Sequence, residues 1–156
     1  MKTILAIDPG TSKSAWVLFS DGRAERVGIQ ANDDLLAALR SEARWGRTLA
    51  DVAVIEKIES FGMAVGAEVF ETVHWSGRFT EALHPTPVIQ LPRRTVKLHL
   101  CGSPRAKDPN IRQALLDRFG GKAATGTKAH PGPLHGIHGD LWAALAVAVT
   151  FAETGA

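Results

Sequence analysis

The sequence predicts an α/β fold: a mixed five-stranded sheet flanked by helices, in the order β-β-β-α-β-α-β-α-α. Three observations lead there. Aliphatic runs at 3–7 and 52–56 are bounded by turn residues and read as buried strands. Three strand patterns follow one another at the amino end before any helical spacing begins. From Asn32 onward helical and strand patterns alternate, as they do where crossovers build a parallel sheet.

Taken in order, residues 3–7 form a strand closed by Asp8-Pro9-Gly10, and 14–19 form a second. Ser-Asp-Gly-Arg at 20–23 is a hairpin signal, and 25–30 alternates as a third, antiparallel strand. Asn32 or Asp33 caps a helix with Leu35, Leu36, Leu39 and Ala43 on one face and Gly46 near its end. The strand at 52–56 follows a helix and is expected to run parallel to the first. Helical spacing of Val65, Val69, Val73 and Phe79 predicts a helix within 62–83, weakened by Gly66 and Gly77. A strand at 88–91 lies between prolines. Pro109 opens a helix with Ile111, Leu115, Leu116 and Phe119 inward, closed by Gly120-Gly121. A Gly/Pro/His loop at 122–136 then leads to a last helix, about 138–152.

A chain of 156 residues suits one domain, expected to span 1–156. With 45% apolar and 22% charged residues it has an ordinary globular composition, and its longest low-charge run, 141–152, is too short to span a bilayer. Asp8 interrupts the first apolar run before it could serve as a secretory signal. The single cysteine, Cys101, excludes an internal disulfide, so a cytoplasmic location is expected. Net charge is only +2, but between Leu91 and Lys128 nine bases face only Asp108 and Asp117. Among these bases are Arg93, Arg94, Lys97, Arg105 and Lys107, which predict a locally positive, nucleic-acid-binding surface; a merely solvated face is the alternative.

Asp8 and Glu56 each end an aliphatic strand, at the carboxyl edge where open α/β sheets gather functional groups. Two carboxylates that close repel unless a cation lies between them, and such hard oxygen donors suit Mg²⁺ or Mn²⁺. Asp140 opens a helix whose Ala143, Ala144, Ala146 and Ala148 let it lie close on the sheet, so its end is expected to reach the same strand tips. Read alone, each acid also fits a plain solvent-facing strand end or helix start. His138 fits a metal ligand, a general base or a structural role, with His135 and His130 weaker. Phe61 beside Gly62 fits either a base-stacking aromatic or a core residue.

Ile-Asp-Pro-Gly-Thr at 7–11, Ile-Glu-Lys at 55–57, Val-Lys at 96–97, Gly-Ser-Pro-Arg-Ala-Lys at 102–107 and Asp-Leu-Trp-Ala-Ala-Leu-Ala-Val-Ala-Val at 140–149 resemble, in order and spacing, the successive motifs of RuvC resolvases. These are ribonuclease-H-like nucleases that cut four-way (Holliday) DNA junctions. The resemblance implies a homodimer acting on branched DNA, with two Mg²⁺ ions held by Asp8, Glu56 and an acidic or His-containing pair at the last helix, His138 and Asp140. It also implies that Lys97, Lys107 and Arg105 meet the DNA backbone. One departure stands out: the family spaces its last two ligands three apart, whereas His138 and Asp140 are two apart, and strict alignment puts Ala143 at the second ligand place.

The expected chemistry is in-line hydrolysis of a phosphodiester by metal-activated water. Two other classes fit parts of the sequence. Asp-x-Gly-Thr also opens actin-like ATPases and sugar kinases, which need two such domains and more chain. A non-catalytic binding protein of the same fold would not need all of Asp8, Glu56 and Asp140. Four-way junctions, flaps, forks and RNA-DNA hybrids are not separable from sequence.

Overall fold

The computed structural model describes residues 2–44 and 49–155. Its strands are β1 (Ile4–Asp8), β2 (Lys13–Ser20), β3 (Arg23–Ala31), β4 (Val52–Lys57) and β5 (Val88–Pro92). They form one sheet in the order β3-β2-β1-β4-β5. The first three make the antiparallel meander, while β4 and β5 add in parallel on the other side of β1. Five α-helices cover it: α1 (Asn32–Arg44), α2 (Ala67–Ala82), α3 (Arg93–Cys101), α4 (Asp108–Arg118) and α5 (Leu141–Thr154). This is the mixed, ribonuclease-H-like sheet the sequence predicts.

Strand alternation sorts the core into two layers. Ile4 and Ala6 of β1, with Val52 and Val54 of β4, face α3, α4 and α5; Leu5, Ile7, Ala53 and Ile55 face α1 and α2. Both inner strands are apolar at every position up to their ends because both faces are covered. Helix α5 lies across β1 and β2, and Ala144, Ala146 and Ala148 are fully buried, so small side chains do let it approach closely.

Helix α3 lies outside the predicted order. Val96, Leu98 and Leu100 alternate by two, a strand period, and no side chain caps the segment. Tertiary packing chooses the helix: Val96 and Leu100, four apart, enter the core, and Leu98 stays 53% exposed. The stretch 62–66 is not helical; α2 starts after Gly66, and its buried face is Thr72, Trp75, Ser76, Phe79 and Ala82. Val73 is half-exposed, so the valine spacing marked the helix's outer side. The last helix starts at Leu141, three residues later than expected. The side chain of Ala43 and all of Gly46 lie outside the described residues.

Asn32 does not cap α1 with its side chain. It is fully buried and closes a ring with the loop after β1: Gly10 N–H donates to Ser14 Oγ (3.1 Å), Ser14 Oγ donates to Asn32 Oδ1 (2.6 Å), and Asn32 Nδ2 donates to the Gly10 carbonyl (3.0 Å). A Cβ on Gly10 would lie 2.2 Å from the Lys13 carbonyl oxygen, so only glycine permits this close approach. Every member of the ring is satisfied, which anchors the turn that follows Asp8.

Phe79 is fully buried against Trp75, their ring centroids 5.8 Å apart, in the layer under α1 and α2. Phe79→Ala is expected to lower the unfolding free energy by about 3–5 kcal/mol through lost burial and the cavity left behind, read by urea denaturation.

Candidate functional site

Parallel pairing of β1 with β4 aligns Ile7 with Ile55, so Asp8 and Glu56 come next on neighbouring strands. By the same alternation both belong to the face covered by α3, α4 and α5. There they line a cleft of about 490 Å³ together with Arg93, Asp108, His138 and Asp140, above a floor that includes Val96, Ile111 and Ala146. Four of the residues singled out from sequence, Asp8, Glu56, His138 and Asp140, thus surround one cleft.

Asp140 is the residue immediately before α5 rather than part of its first turn. Its carbonyl accepts from the Ala143 and Ala144 N–H groups, but its side chain makes no capping bond, which leaves the carboxylate to the cleft. Asp140 thus keeps its expected place at a helix start, and its carboxylate lines the cleft as well. His138 stands in the turn ahead of it, and its Nδ1 lies 2.9 Å from the Gly136 carbonyl oxygen. A carbonyl only accepts, so Nδ1 carries the proton and Nε2 keeps its lone pair. His135 Nδ1 contacts the Thr125 carbonyl at 3.2 Å, and neither it nor His130 lines the cleft. Ala143 does line it and offers no donor atom.

Electrostatics mark the cleft. Burial, then the nearby Glu56 and Asp140 carboxylates, push the Asp8 carboxyl up from an ordinary 3.8 to about 8. Burial likewise raises Glu56, although Arg93 opposes it through charge and a hydrogen bond from Nη1 to Oε1 of 3.3 Å. Arg93 Nη2 donates to Asp108 Oδ1 as well. Burial alone would lower Arg93; the Glu56 and Asp108 carboxylates more than reverse this and raise it.

Arg93, expected as a DNA contact, forms the wall between the acidic cleft and a shallower depression lined by Phe61, Arg94, Lys97 and Pro104. Phe61 is 66% exposed, which rules out its core reading, and adopts a φ of 52°, uncommon for an aromatic residue. Arg105 and Lys107 are exposed between α3 and α4 and line neither the cleft nor the depression. Sequence reasoning missed Asp108 as a cleft residue, although its place before Pro109 marked it as a helix-start acid. It also missed Arg112, which lines the cleft with its guanidinium 5.1 Å from the Trp142 ring centre.

Asp8, Glu56 and Asp140 offer only hard oxygen donors, and the raised Asp8 carboxyl calls for a proton or a cation beside it, so the donor set fits Mg²⁺ or Mn²⁺. Among the described residues no three His, Cys, Asp or Glu side chains are gathered closely enough to hold one ion. Arg93, bonded to Glu56, supplies the nearest positive charge instead.

The Asp8 value lies above that of the unfolded chain, so its contribution to stability is complete below about pH 4 and is lost as pH rises through about 8. In EDTA, this residue is expected to add a decline in unfolding free energy across that window of at most about 1.4 kcal/mol per pH unit. Denaturation curves of Asp8→Asn should show a shallower decline; an unchanged pH profile would contradict the shift.

No family model matches the sequence, and no curated protein matches it. Among solved structures, one described as the Thermus thermophilus RuvC structure aligns with a TM-score of 0.64 at 18% identity, covering 98% of this chain and 96% of that one. A second, T. thermophilus RuvC in complex with a Holliday junction substrate, aligns with a TM-score of 0.66 at 18% identity, covering 97% and 93%. At that identity the likeness establishes a shared fold: over nearly its whole length this chain has a RuvC-like, ribonuclease-H-like architecture.

Proposed function

We propose that this protein is a divalent-metal-dependent DNA endonuclease that resolves four-way junctions by paired phosphodiester hydrolysis. The observation that carries the reading is the meeting of Asp8, Glu56, Asp140 and His138 around one cleft, beside a depression lined by Arg93, Arg94 and Lys97. The RuvC-like fold supports it, since one of the solved structures of that fold is in complex with a Holliday junction substrate.

On this reading Asp8, Glu56, Asp140 and His138 would hold two cations between them, the side chains closing in from the spacing seen here, which gathers no three of them around one ion. Mg²⁺, for which Mn²⁺ can substitute, supplies Lewis acidity, activating water and stabilising the leaving oxygen. Arg94 and Lys97 neutralise backbone phosphates, and Phe61, exposed beside them, stacks on an unpaired base. Arg105 and Lys107 reach more distant phosphates along the junction arms. Binding is therefore salt-sensitive and largely independent of sequence.

A junction offers two equivalent strands, which a two-fold dimer matches. Supporting a dimer through α2 and the segment before it are three exposed apolar side chains, Met63, Phe70 and Val73. The paired substitution Phe70→Glu with Val73→Glu is expected to yield a folded monomer by analytical ultracentrifugation; an unchanged mass would move the interface elsewhere.

Cleavage of a mobile four-way junction, a flap, a fork, an RNA-DNA hybrid and plain duplex, each with Mg²⁺, Mn²⁺ or EDTA, tests the activity. Paired symmetric nicks in the junction are expected, and equal cutting of the flap or hybrid would defeat junction selectivity. Asp8→Asn, Glu56→Gln and Asp140→Asn should each abolish metal-dependent cleavage while junction binding persists in a gel-shift assay.

A further inference from the structure

The guanidinium of Arg93 reaches into the acidic cleft and joins two carboxylates that come from different elements. Nη1 donates to Glu56 at the end of β4, 3.3 Å away, and Nη2 donates to Asp108, the first residue of α4. Glu56 is buried, Arg93 is half-buried, and the Asp108 side chain is 82% exposed. The planar fork thus spans from the interior of the cleft to its rim, a geometry that a single ammonium could not reproduce. Asp8 and Asp140 add further negative potential alongside Glu56, so an uncompensated cleft would be costly, and Arg93 offsets part of that cost.

An arginine side chain does not lose its proton, so it cannot become neutral when another cation approaches. A divalent ion on Glu56 would therefore lie beside a fixed positive charge, and the two repel strongly at contact distance in a partly buried site. Arg93 has somewhere to go. It lines the depression with Phe61 and Pro104 as well as the cleft, so both lie within its reach.

We propose that Arg93 is a resident counter-ion of the acidic cleft, held between Glu56 and Asp108, and that a divalent cation must displace it from Glu56 to bind. Asp108 is a positioning residue in this arrangement: it holds Arg93 at the rim, besides the negative charge it adds as a cleft-lining carboxylate. The inference rests on the reading of the cleft as a metal site. It adds that metal affinity without DNA is held down by the protein's own charge.

The test is Mn²⁺ binding, without DNA, by calorimetry and by the spin resonance signal of free Mn²⁺, for the wild type, Arg93→Gln, Asp108→Asn and the double variant. Arg93→Gln is expected to bind Mn²⁺ about tenfold more tightly, the scale of one charge-assisted contact released. Asp108→Asn is expected to weaken binding in the wild type, because Arg93 is then left to Glu56 alone, and to weaken it clearly less once Arg93 is gone, when only the charge of a cleft-lining carboxylate is lost. Equal affinity in the wild type and Arg93→Gln overturns the counter-ion role while leaving the metal site in place. A loss from Asp108→Asn that is equally large in the double variant overturns the positioning role. No Mn²⁺ binding by any variant overturns the metal-site reading itself. Thermal melts verify folding; should Arg93→Gln fail to fold, Arg93→Met, which also removes the charge, carries the same comparison.

Discussion

The parallel register that sets Ile7 opposite Ile55 is the constraint on which the cleft depends. It makes Asp8 and Glu56 successive neighbours at one sheet edge, and the two-residue period of the strands turns both toward the same helical layer. A one-residue slip would send one carboxylate to the opposite face, under α1 and α2, and part the pair. The register is held by burial: Ala6, Ile7, Ala53, Val54 and Ile55 are fully enclosed, so a slip would also invert two core layers.

Given that register, the cleft is built by what the remaining elements bring to the strand ends. The small-residue face of α5 lets its N-terminal end descend onto β1, which carries Asp140 and His138 inward. The ring of Gly10, Ser14 and Asn32 ties the loop after Asp8 to the start of α1 and limits how far that carboxylate can retreat. Helices α3 and α4 close the other side with Arg93 and Asp108. The far ends of these three helices are joined too: Glu153 contacts His99 Nε2 at 2.6 Å and Arg118 Nε at 3.0 Å. That cluster ties α3 and α4 to α5 at the end remote from the cleft.

Burial and like charge pull against each other throughout this site. Desolvation raises Asp8 and Glu56 toward their neutral forms, and each added carboxylate raises Asp8 further. Arg93 relieves this from within the chain, with Asp108 drawing the guanidinium toward the rim. A carboxylate set that resists ionising until positive charge arrives is an arrangement suited to responding to cations.

Patterns that repeat along the chain were legible in the sequence: the aliphatic strands, the acids that end β1 and β4, the helix-opening Asp140, and the resemblance carried by five short motifs. They are local or periodic, so a single strand or helix suffices to express them. Tertiary structure alone decided the rest. The alternation of Val96, Leu98 and Leu100 has a strand period, yet the segment packs as a helix that buries only Val96 and Leu100. Phe61 and the valines of α2 are apolar whether they face a core or solvent, and only the stacking of α2 on α1 settles which. Above all, the bridge from Glu56 through Arg93 to Asp108 joins residues 37 and 15 positions apart, a charge pairing that exists only once a strand end and a helix start have been packed side by side.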